Sequence, residues 1–61
     1  MSYQRLRIAM KKNHDTYDDL GAVLGLPKSA ISMRINKKTD FRISEIKKIL
    51  KRYDKSFEEL F

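Results

Sequence analysis

The strongest constraint on this chain is the spacing of Leu20, Gly21, Leu24, Gly25, Leu26, Ile31 and Ile35 between residues 16 and 36. Leu20 and Leu24 lie one helical turn apart, as do Ile31 and Ile35, and Gly25-Leu26-Pro27 interrupts the two stretches. Glycine tolerates the left-handed backbone found just past a helix end, and proline fits at or just before a first helical turn. The pattern predicts two short amphipathic helices joined by a tight turn, which is the helix-turn-helix unit. Gly21, lacking a Cβ, is expected to let the following helix pack closely. Leu26 plugs the turn.

The flanking segments read as helices too. Tyr3, Leu6, Ala9 and Met10 form one apolar stripe over residues 3–12, which Asn13-His14-Asp15 interrupts. Thr16 reads as the N-cap of the second helix, with Asp19 three residues on as a shorter substitute for the Glu or Gln of a capping box. The third helix buries Ala30, Ile31 and Ile35 and ends near Asn36, a plausible left-handed terminator. A fourth helix is expected from Arg42 or Ile43 to Tyr53, with Ile43, Ile46, Ile49, Leu50 and Tyr53 inward and Lys47, Lys48, Lys51 and Arg52 in solvent. Ser56 and Glu59 form a capping box for a last short helix carrying Phe57, Leu60 and Phe61. These aromatics either close the core or form a contact between two copies. The expected fold class is all-α, a compact bundle of five short helices in one domain spanning residues 1–61.

Sixty-one residues leave a thin core, and without cysteine neither a disulfide nor a thiolate metal site can reinforce it. Nor is there room for both a binding module and an enclosed catalytic pocket. No apolar run approaches the ~20 residues of a membrane span, and the N-terminus lacks a signal peptide's apolar stretch, so the expected compartment is the cytoplasm. Fourteen Lys and Arg against eight acidic residues give a formal charge of +6, a preference for polyanions.

The third helix carries the chemistry that such a charge can use. Its outward side presents Lys28, Ser29, Ser32, Met33 and Asn36. Lysine can donate to guanine O6 and N7, asparagine can pair with adenine, serine can donate or accept, and Met33 can lie against a thymine methyl. Thr16, Tyr17, Lys37, Lys38 and Thr39 surround this face with donors for phosphates. Arg34 either joins them or pairs with an acid such as Asp40. His14, alone in a connection, reads as a loop histidine.

On these residues the chain resembles the Cro/C1-type (XRE) helix-turn-helix family of phage repressors, most closely those of Gram-positive bacteria and their phages. Residues 16–26 are similar to the family's second helix and turn. Residues 31–38, followed by Asp40-Phe41, resemble its "Ser-x-x-Ile-Asn-Gly-Lys" and acidic-Phe segment, and residues 56–61 its closing "Ser-x-x-Glu-Leu-Phe". Lys37 replaces the usual Gly, Pro27 a capping Ser or Thr, and Asp15 a commonly apolar residue. Tyr17 stands where many members carry a phosphate-contacting Gln. The resemblance implies a lambda-repressor-like domain that binds a double-stranded DNA operator as a homodimer, weakly associated off DNA. Pro27, Lys28, Ser29, Ser32, Met33 and Asn36 would face the groove, and Thr16, Tyr17, Arg34, Lys37, Lys38 and Thr39 the phosphates.

No catalytic constellation is present: the adjacent pairs Asp18-Asp19 and Glu58-Glu59 sit at helix starts, where caps belong. No enzyme activity, cofactor, metal or small-molecule substrate is expected. The length favours a Cro-like regulator over a full repressor, with the excised N-terminal domain of a longer repressor as the alternative. A different class of function, a protein-interaction module of antitoxin or anti-repressor type, would favour larger apolar groups on the outward face, where only Met33 qualifies.

Overall fold

A computed structural model describes residues 3–36 and 39–61. The described residues form five helices in order: α1 (Gln4–Lys12), α2 (Tyr17–Leu24), α3 (Lys28–Asn36), α4 (Ile43–Tyr53) and α5 (Phe57–Leu60). No strand occurs among the described residues. The fold is all-α, and α2 and α3 form the helix-turn-helix.

Local chemistry fixes where each helix begins and ends. The Thr16 hydroxyl accepts from the Asp19 N–H at 3.2 Å, and the Asp19 carboxylate accepts from the Thr16 N–H at 2.8 Å. The shorter acid therefore completes the capping box that a glutamate usually closes, satisfying two groups at the start of α2. Gly25 ends that helix in the left-handed conformation (φ 71°, ψ 30°), and the Leu26 N–H donates to the Gly21 carbonyl at 2.9 Å. Pro27 stands immediately before α3, where its carbonyl accepts from the Ala30 and Ile31 N–H groups at 3.0 and 3.3 Å. The Ser56–Glu59 box caps α5 as expected. His14 and Asp54 adopt left-handed backbone after α1 and α4. Asn36 is the last helical residue, and Lys37 and Lys38, where the chain would turn, lie outside the described residues.

The core runs through all five helices. Leu6, Leu20, Ile31, Ile35, Ile49 and Leu60 are fully buried, joined by Tyr3, Met10, Leu24, Phe41 and Tyr53. Each such aliphatic side chain contributes about 1.5–3 kcal/mol through loss of apolar contact with water. Tyr3, Phe41 and Phe61 meet edge-on, with ring centres 5.5–6.3 Å apart, and fasten the start of α1 to the segment before α4 and the end of α5. Tyr3 also donates its hydroxyl to the Thr39 carbonyl at 2.9 Å.

Two expectations need correction. Gly21 is needed by the turn more than by the third helix: a Cβ there would collide with the Leu26 carbonyl oxygen, whereas the nearest α3 atom, Ile31 Cγ1, would lie at an ordinary 3.6 Å. Ile43 is 73% exposed rather than inward. The buried line of α4 is Glu45, Ile49 and Tyr53, four residues apart, and Ile43 lies roughly 120° around the helix from Ile49 at 3.6 residues per turn. Arg52 is exposed as expected, and its guanidinium also pairs with Asp15.

Candidate nucleic-acid interface

Burial of Ile31 and Ile35 fixes the rotation of α3 about its axis, so the residues on the opposite side of the helix face away from the core. Pro27, Lys28, Ser29, Met33 and Asn36 are exposed, and Ser32 is half-buried among them. Met33 is 56% exposed, too open to serve as a core edge. Five of the six residues expected to face a groove thus lie along α3, and Pro27 stands immediately before it. They do not all act independently. Asn36 Nδ2 donates to Ser32 Oγ at 3.1 Å, and Asn36 Oδ1 accepts from the Arg7 guanidinium of α1 at 2.7 Å.

The residues expected at phosphates are more scattered. Thr16 is exposed, but its hydroxyl is engaged with Asp19 inside the α2 cap. Tyr17 is half-buried and lines a shallow groove of about 320 Å³ with Arg7, Met10, Lys11 and Asp15. Thr39 is exposed at the surface, and Lys37 and Lys38 lie outside the described residues.

Arg34 pairs with an acid, the second of its two expected roles, but not with the one named as the example. It pairs with Glu45 rather than Asp40, and its guanidinium lies over the Phe41 ring, 5.7 Å from the centroid. Burial explains the choice. The Glu45 side chain is only 10% exposed and needs a cation, while Asp40 stands in water. The same Glu45 oxygen accepts from the Arg42 N–H at 2.8 Å, capping α4. Glu45 therefore joins α3 to α4, a role the sequence reading missed. The available signal was an acid three residues into a helix expected to start at Arg42 or Ile43.

Asp15 is a second junction. Its carboxylate accepts from Arg52 at 2.8 and 2.6 Å and from the Tyr53 hydroxyl at 2.7 Å. The hydrogen bonds from Arg52 hold Asp15 below the usual carboxylate range, and Arg52 is raised in return. Burial, then the neighbouring Asp15, pushes Tyr53 well above an ordinary phenol. A charged residue at this commonly apolar position is thereby satisfied, and it ties the connection before α2 to the end of α4.

Among the described residues no cluster of His, Cys, Asp or Glu is arranged to hold a metal ion, and no helix is long and apolar enough to cross a membrane. Comparison with curated proteins and with solved structures finds no match. A helix-turn-helix family model matches residues 6–60, from within α1 to the end of α5. Members of this family are DNA-binding regulators, and the two-sided α3 described above is what that activity requires. By that match the chain belongs to the Cro/C1-type helix-turn-helix family.

Proposed function

We propose that the protein is a Cro-like repressor that places α3 in the major groove of a duplex operator and acts by occupying it against polymerase, in the cytoplasm where the DNA lies. The observation carrying this reading is the division of α3, with Ile31 and Ile35 in the core and Lys28, Ser29 and Met33 in solvent on a chain of charge +6. A recognition helix reads bases chiefly with its N-terminal residues. Lys28 is therefore the leading donor to guanine O6 and N7, with Pro27 and Ser29 beside it. Ser32 and Met33 follow one turn on, Met33 against a thymine methyl. Thr16, Tyr17, Thr39, Lys37 and Lys38 supply the surrounding phosphate contacts, and Arg34 is held back by Glu45.

A selection of bound sequences from random duplex DNA at two salt concentrations tests this reading. Enrichment of a palindromic motif is expected. Recovery of no motif would favour the protein-interaction module instead. Lys28→Ala is expected to cost about 1–3 kcal/mol at one base pair and to relax preference there. A uniform loss across all sequences would make Lys28 a phosphate contact.

Binding as a homodimer belongs to the same proposal. Ile43 is 73% and Phe57 45% exposed, and Phe57 stacks on Phe61 at 5.3 Å beside Ile46, so an apolar surface stands open where α4 begins and α5 starts. Two copies meeting there would read half-sites about one helical turn, ~34–36 Å, apart. Phe57→Glu is expected to weaken binding to a duplex with two half-sites at least tenfold while sparing a single half-site. Sedimentation showing one copy per two-half-site duplex for the unaltered protein would exclude the dimer.

A further inference from the structure

α1 carries cations that neither the expected contact set nor the family match assigns to DNA. We infer that Arg7, together with Asn36, clamps a DNA phosphate at the C-terminal end of α3, and that Lys11 extends the same strip toward the start of α2. The assignment rests on the reading of α3 as the groove-binding helix.

Position is the first argument. Asn36 is the last residue of α3, about 12 Å along the axis from Lys28 at 1.5 Å per residue. The major groove is only about 8.5 Å deep, so a helix entering with its first turn on the bases leaves its last turn near the rim, where the phosphates lie. The C-terminal end of a helix carries partial negative charge and repels an anion. A phosphate settles there only if a cation is brought to it. The cation in the last turn of α3, Arg34, is spent on Glu45. Arg7 arrives from α1 instead, its Nη2 2.7 Å from Asn36 Oδ1.

Hydrogen-bond chemistry is the second argument. Bidentate reading of adenine needs the amide oxygen of Asn36 as acceptor. In the structure that oxygen accepts from a guanidinium, while Nδ2 donates to Ser32. What the pair offers outward is mainly N–H groups, and Arg7 presents its own in the planar fork that suits phosphate oxygens. Lys11 stands one turn further along α1 and shares with Arg7 the groove that reaches Tyr17. Cations at these two positions connect the end of α3 to the start of α2.

The test measures affinity for the selected operator and for a scrambled duplex between about 50 and 200 mM salt, with wild type, Arg7→Ala, Arg7→Lys and Lys11→Ala. Arg7→Ala should weaken binding to both duplexes by the same factor, roughly tenfold, and lower the salt slope by about 0.9. Arg7→Lys should keep the slope, and Lys11→Ala should lower it by a similar amount. Arg7 is exposed, so thermal unfolding of each variant should match wild type and show that the fold is intact. A loss confined to preference at one base pair, or an unchanged slope in Arg7→Ala, overturns the clamp while leaving α3 as the reading helix. A wild-type protein that binds neither duplex overturns the proposed function and the clamp with it.

Discussion

Replacing Glu45 by alanine is expected to lower the unfolding free energy by about 3 kcal/mol, toward the lower end of the range for breaking a buried ion pair from one side. The variant loses the carboxylate that caps α4 through the Arg42 N–H and leaves Arg34, 18% exposed over Phe41, without its counter-charge. That residual exposure lets water reach the guanidinium, which keeps the cost from being larger. For 61 residues a total stability on the order of 3–9 kcal/mol is usual, so toward the lower end of that range a measurable unfolded fraction should appear in the absence of denaturant. Glu45→Gln keeps an acceptor for Arg42 and should lose roughly half as much. Urea titration followed by circular dichroism measures both. A loss below about 1 kcal/mol for the alanine variant would class the pair with exposed salt bridges.

The second large effect is expected at Asp15. Its removal strips Arg52 and the Tyr53 hydroxyl of their shared acceptor, and Asp15→Ala should cost about 2–3 kcal/mol at neutral pH. The figure is held down because the Arg52 side chain is 35% exposed and partly solvated already. Asp15 also gives a pH dependence. Its folded pKa lies below its ordinary 3.8, so its contribution is fully present above that value and is lost as pH falls through the folded one. Wild type and Asp15→Ala should therefore differ most above about pH 4 and converge in stronger acid. Glu59, lowered by its bonds to Ser56, adds a smaller loss in the same direction to both proteins, so the comparison isolates Asp15. Tyr53 acts at the other extreme. Its folded pKa is raised, so the stability it contributes is present below its ordinary 10.0 and is lost only as pH rises through the folded value. A gap between the two proteins that stays constant from neutral pH into strong acid would remove Asp15 as the source of acid lability.

The parts of this protein governed by local chemistry were legible from its residues. Thr16 and Ser56 cap helices because a hydroxyl three residues before an acid satisfies free N–H groups wherever it occurs. Gly25 turns the chain because only glycine adopts positive φ without cost, and the spacing of Leu20, Leu24, Ile31 and Ile35 specifies which faces are buried. The outward set of α3 follows from that burial without further information.

Partner choice between helices was not legible. Arg34 selects Glu45 over Asp40 because α4 brings a buried carboxylate against it, and Arg52, though exposed, binds Asp15, which lies 37 residues away in sequence and within hydrogen-bond reach in space. Ile43 looks inward by composition, yet the line of α4 that meets the core passes through Glu45, Ile49 and Tyr53.

The helix-turn-helix between residues 16 and 36 was determined by the sequence alone, since its caps, turn and buried stripes are interactions among residues a few positions apart. The tertiary structure decided what surrounds it: which cation is spent on Glu45, which one reaches Asn36 from α1, and which apolar residues remain in water. Those outcomes depend on how separate helices meet, and a one-dimensional pattern records the face each helix presents but not the neighbour that receives it.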